Sequence, residues 1–126
     1  MRTLSRQSTA TRLGAGALLM LSVVHLLALP AHARMAPYLG LLFAVAALGF
    51  LLAALRMWDG RHLDGRLLWG ALCITAMAAQ LLSVTVGLPG VAELRGGLTP
   101  AGLLAWLLET AVLVLLRPDL HPNGRR

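Results

Sequence analysis

Residues Met35 to Leu55 read MAPYLGLLFAVAALGFLLAAL, an unbroken stretch with no charged side chain. An α-helix rises about 1.5 Å per residue, so this stretch can cross the roughly 30 Å hydrocarbon layer of a bilayer. Only helices and closed barrels satisfy their backbone polar groups in lipid, and the stretch lacks the period-two alternation of a strand. A transmembrane helix is the predicted conformation.

Three further windows have the same character: Leu13 to Ala33, Leu67 to Ala92, and Gly96 to Leu116, the last interrupted only by Glu109. The predicted class is therefore all-α, a four-helix transmembrane bundle with spans at about 13–30, 38–55, 67–88 and 98–116. Pro30 is expected to end the first span, and Pro89-Gly90 the third. The Arg56 to Arg66 segment, with Asp59, Gly60, Asp64 and Gly65, reads as a polar turn. Thr99 can N-cap the fourth helix, with Pro100 at its first position.

Composition agrees with this placement. Of 126 residues, 58% are hydrophobic and 13% charged, whereas a soluble domain carries about a quarter charged residues. No polar linker divides the chain, so residues 1–126 form a single integral membrane domain, with 1–12 and 117–126 as cytoplasmic tails. The net charge of +6 would suggest a nucleic-acid surface in a soluble protein. Here the basic residues are all Arg and sit at the joints between apolar runs, which excludes nucleic acid as the expected partner and leaves the lipid bilayer.

The Arg distribution also orients the chain. Arg2, Arg6, Arg12, Arg56, Arg61, Arg66, Arg117, Arg125 and Arg126 fall on one side of the predicted bundle, against Arg34 and Arg95 on the other. The positive-inside rule then puts both termini and the middle loop in the cytoplasm of a multi-pass plasma-membrane protein. The competing reading at the N-terminus is a signal peptide cut after Ala33, because Ala31-His32-Ala33 matches an A-x-A site. The run from Leu13 to Leu29 exceeds the usual length of such a peptide's apolar region and contains a histidine.

Helices in lipid associate through close packing of small residues. In the third span Ala71, Thr75, Ala79, Ser83 and Gly87 recur every four residues, a small-residue face expected to touch a neighbouring helix. Ala101, Ala105 and Glu109 share a stripe on the fourth span, Gly14, Leu18, Ser22 and His25 one on the first, and Gly40, Ala44, Ala47 and Ala54 one on the second. Helical rise places His25 about 7 Å, Gln80 about 12 Å and Glu109 about 16 Å below the outer ends of their predicted spans. His32, Arg34, Glu93 and Arg95 are expected on the outer loops.

An ionisable side chain within a span is costly and usually faces a cavity or a partner, so Glu109 is the sharpest functional pointer, with His25 or Gln80 as the expected partner. A Glu and His could share a proton or bind a cation. His25 and His32, seven residues apart, and Met35 make a set soft enough for copper if the helix continues past Pro30. Haem or quinone would need a second well-placed intramembrane ligand. Cys73 is the lone cysteine, so paired-thiol chemistry is excluded. Trp58 and Trp69 flank the middle loop as expected interface anchors, and Met20, Met57 and Met77 read as gap-fillers. No hydrolase triad, phosphate-binding glycine loop or metalloprotease motif occurs, so no catalytic residues are assigned.

The run His25 to His32, the entry Pro37-Tyr38-Leu39-Gly40-Leu41-Leu42-Phe43, the exit Thr85-Val86-Gly87-Leu88-Pro89-Gly90 and the segment Leu107-Leu108-Glu109 together carry a family likeness. From about Leu13 to Leu116 the chain resembles a group of uncharacterised small four-helix integral membrane proteins of actinobacteria. The resemblance implies four helices and matches His25, His32 and Glu109 to the group's polar positions; it implies no activity. The chain departs from the group at Ala31 and Ala33-Arg34, where its members tend to have an acidic residue and aromatic residues, which weakens a metal site on His32.

The function expected from the residues is a non-enzymatic membrane protein with a His25/Glu109 site, flanked by Gln80 and open to the extracytoplasmic side, handling a proton, metal ion or small ligand. The alternative is a structural or assembly subunit that docks another membrane protein, or a second copy of itself, through the small-residue face of the third span.

Overall fold

A computed structural model describes residues 2–59, 62–90 and 99–116. Four helices and no strand occur among the described residues: α1 (Arg2–Met35), α2 (Pro37–Trp58), α3 (His62–Thr85) and α4 (Pro100–Leu116). The segments Thr11–Met35, Pro37–Trp58 and Leu67–Thr85 are each long and apolar enough to cross a membrane. α4, with 17 residues, is shorter. It rises about 25 Å, at the lower limit for a span. The segment with Glu93 and Arg95, the positions Gly60 and Arg61, and the C-terminal Arg117, Arg125 and Arg126 lie outside the described residues.

The first helix does not end at Pro30. α1 runs through it to Met35, as lipid-embedded helices tolerate proline where local adjustment re-satisfies the freed carbonyl. The chain turns at Ala36 instead, whose φ of −155° and ψ of 134° are extended. Pro37 imposes this: its ring crowds the preceding residue out of the helical region, while at the first turn of α2 its missing N–H costs nothing. His32 and Arg34 therefore sit in the last turn of α1 and not on a loop. His25 lies about 15 Å from the end of its helix, twice the expected depth. At the other end α1 continues back to Arg2, so residues 2–12 are helical.

This one-residue corner makes α1 and α2 the most extensively packed pair. Gly40 permits it. A Cβ there would stand 2.6 Å from the Ala33 Cβ and 3.0 Å from its Cα. Deeper in the pair the Ser22 hydroxyl donates to the Ala47 carbonyl at 2.7 Å. The inward stripe of α1 with Leu18 and His25 is buried, as is that of α2 with Gly40, Ala47 and Ala54.

α3 ends at Thr85, three residues before the predicted boundary. Gly87 adopts φ +88°, the left-handed conformation in which a helix terminates at low cost only with glycine. The Val86 and Gly87 N–H groups both reach the Leu82 carbonyl, at 3.0 and 3.1 Å. The Tyr38 hydroxyl then donates to the Pro89 carbonyl at 2.7 Å, tying this exit to the first turn of α2, and Leu88 packs on Ala36 and Leu39. At α4 the predicted cap forms: Thr99 Oγ1 accepts from the Gly102 N–H at 3.1 Å.

One apolar core joins all four helices: Ala15, Leu18 and Leu21 from α1, Phe50, Ala53, Ala54 and Met57 from α2, Trp69 and Cys73 from α3, and Ala105 and Val112 from α4. The face that α3 turns to this core is thus the Trp69–Cys73 stripe, one turn apart. The small-residue face points elsewhere. Ala71, Thr75 and Ala79 are exposed, with Ser83 and Gly87 half-buried. The bulky indole and the thiol fill core volume that a stripe of small residues would leave void. Trp69, expected as an interface anchor, is a core residue, whereas Trp58 is 67% exposed at the end of α2.

Candidate functional site

Ala105, Glu109 and Val112 are spaced by four and three, which places them on one face of α4. All three are buried. Glu109 is 1% exposed, and the residues one turn above and below it belong to the apolar core. Its Oε2 is fully enclosed and has no hydrogen-bond partner among the described residues. The Cys73 thiol of α3 is buried in the same core, free of any disulfide.

Two more enclosed polar atoms lack partners, the indole Nε1 groups of Trp69 and Trp106. Trp106 precedes Glu109 by three residues, so the two are neighbours on α4. Trp69 lies one turn from Cys73 on α3. Buried polar groups are nearly always satisfied, and each orphan costs about 1–3 kcal/mol. The described core thus carries two orphan donors and one orphan acceptor on the two helices α3 and α4.

His25 belongs to a different place. Its Nδ1 lies 2.8 Å from the Leu21 carbonyl, and its ring packs on Phe43 and Phe50, with centroids 5.4 and 5.1 Å away. His32 repeats the arrangement, with Nδ1 2.8 Å from the Ala28 carbonyl and its ring stacked on Phe43 at 4.0 Å and 20°. A carbonyl only accepts, so Nδ1 carries the proton in each neutral ring and Nε2 holds the lone pair. Seven residues separate the histidines and seven separate Phe43 from Phe50, and the antiparallel helices mesh these two pairs.

The predicted site residues are therefore distributed over three locations. Glu109 faces the common core from α4, His25 faces α2, and no hydrogen bond joins them. Gln80 sits at the end of the α3–α4 seam where α4 begins, and its amide lies against Gly102 so closely that a Cβ on that glycine would collide with it. Glu109 is seven residues further along α4, about 10 Å. The His25, His32 and Met35 set is not brought together either. Seven residues of helix set the two imidazoles about 10 Å apart along α1, Phe43 occupies the gap between them, and Met35 is half exposed at the helix end. Among the described residues no group of three or more His, Cys, Asp or Glu could hold a metal ion.

Sequence reasoning missed the two phenylalanines and the inward Trp69. The signals were present: the matching seven-residue spacings on the first two spans, and the four-residue step from Trp69 to Cys73. No family model matches this chain, and neither the curated proteins nor the solved structures contain a match to it.

Proposed function

We propose that the chain is a multi-pass protein of the cell membrane, with four spans and both ends in the cytoplasm, in which Glu109 is a proton-binding group at the centre of the bundle. One observation carries this reading: the Glu109 carboxyl is enclosed among apolar side chains with no partner for Oε2. A carboxylate without a counter-charge or donors is expensive in such surroundings, whereas the neutral acid is tolerated. Ionisation therefore requires the packing around Glu109 to open. Of the four packed helix pairs, α3 and α4 touch least, so their seam, with Gln80 and Gly102 at its outer end, is the access route. Glu109 lies about 14 Å from that end of α4.

The test is infrared difference spectroscopy on the full-length protein in lipid during a pH titration. A carboxylic acid C=O band that changes with pH and vanishes in Glu109→Gln supports the reading. Absence of any such band refutes it. Retention of the first helix and membership of the small four-helix actinobacterial group belong to the same proposal. The first is supported by the Ala33–Gly40 contact and the Ser22–Ala47 bond, the second by the glycine-terminated Thr85 to Gly90 exit.

A second reading, an assembly subunit, is favoured by the exposure of Ala71, Thr75 and Ala79, small residues that permit close helix approach. Only 11% of the third span is buried, against 33% of each of the first two. Under this reading Ala79→Leu dissociates a second copy or a co-purifying membrane protein, while Glu109→Gln leaves the assembly intact.

A further inference from the structure

Arg12 and Leu19 are seven residues apart on α1 and so lie on one stripe of the helix, with Gly16 beside them. Leu19 forms one wall of an open apolar groove of about 250 Å³, and Ala54, Leu55 and Trp58 of α2 form the rest. A Cβ on Gly16 would meet no atom of the described residues within 4 Å. The space beside the groove thus stays open along the stripe toward Arg12, which is exposed.

Depth matches these groups to a bilayer. Counted from the corner at Ala36, Trp58 and Arg12 lie about 33 and about 36 Å along their helices, so both reach the far boundary of a roughly 30 Å hydrocarbon layer. Leu19 and Leu55, at about 26 and about 28 Å, remain inside it. An apolar trough ending in an indole and a guanidinium at headgroup level suits one kind of occupant, an acyl chain carrying a phosphate ester. Arg56, two residues before Trp58, projects from the other side of α2 and does not share the groove.

We propose that Arg12, Trp58 and the groove between Leu19 and Leu55 hold one phospholipid from the leaflet nearest the N-terminus, with an anionic headgroup on Arg12 and an acyl chain along the groove. The inference rests on the membrane-spanning reading of α1 and α2 and is independent of Glu109.

Native mass spectrometry of the detergent-purified full chain tests it, with phosphatidylglycerol, phosphatidylcholine and inorganic phosphate as probes. The expected result is one retained phosphatidylglycerol that excess phosphate does not displace and that phosphatidylcholine does not match. Arg12→Gln weakens retention about five-fold, in line with the contribution of one surface cation, and Gly16→Leu, which fills open space, abolishes it. Arg56→Gln retains the lipid, and so does Glu109→Gln, which removes the infrared band; the two proposals therefore fail separately. Equal retention of phosphatidylcholine, displacement by phosphate, or wild-type retention in Arg12→Gln overturns the site. The Arg12→Gln and Arg56→Gln pair decides alone if Gly16→Leu does not fold.

Discussion

The Ser22 hydroxyl donates to the Ala47 carbonyl at 2.7 Å, a hydrogen bond between α1 and α2 set within their apolar interface. Such interhelical bonds in membranes contribute about 0.6 kcal/mol on average and up to about 1.7. Ser22→Ala should therefore lower stability by about 1 kcal/mol, read as a shift in the unfolding midpoint in mixed micelles, and Ser22→Thr should recover part of it.

Gly40 and Gly16 should respond in opposite ways. Gly40→Ala drives a methyl group into the Ala33 Cβ and backbone, and overpacking of this kind costs about 1–3 kcal/mol. Gly16→Ala meets open space and gains the helix preference of alanine, about 1 kcal/mol. Thermal unfolding of the two variants in one detergent compares them; a destabilised Gly16→Ala would contradict the open space found there.

Tyr38 holds the exit of α3 to the entry of α2 through the Pro89 carbonyl. Removing the hydroxyl in Tyr38→Phe should cost about 0.5–1.5 kcal/mol. Hydrogen exchange should rise first at the amides of Val86, Gly87, Leu88 and Gly90, since the Leu88 contact with Ala36 and Leu39 is the remaining tie. Uniform protection in the variant would show that the bond does not anchor this turn.

Cys73 is a native reporter of the Glu109 environment. Buried in the core that Ala105 and Val112 of the Glu109 stripe share, it should resist maleimide labelling in the resting bundle. Conditions that ionise Glu109 should open the α3–α4 seam and raise the labelling rate several-fold, and Glu109→Gln should abolish the increase. A labelling rate that rises equally in both proteins reflects only thiol ionisation and counts against coupling.

Isosteric replacement separates charge from packing at the core. Glu109→Gln keeps the volume and should fold with a stability change under about 1.5 kcal/mol, whereas Glu109→Lys introduces a long buried cation and should prevent accumulation of the protein. Expression and size-exclusion profiles of the two variants provide the check.

Much of the fold was legible in the residues alone, because membrane insertion is decided by one-dimensional quantities, namely the length of an uncharged run and the positions of Pro, Gly and Thr. The helical class, the Thr99 cap and the inward aim of Glu109 follow from composition and the 3.6-residue repeat. The residues alone do not choose between Pro30 and Pro37 for the corner, since either proline is able to break a helix. Only the packing of Ala33 on Gly40, with Pro37 at a helix start, determines which one does. The partners of the polar residues were decided by tertiary structure for the same reason. Periodicity fixes the face on which a side chain lies, but the neighbour it meets depends on how the four helices fill their shared volume. That filling turned Trp69 and Cys73 inward, set His25 against Phe43 and Phe50, and left Glu109 without the histidine.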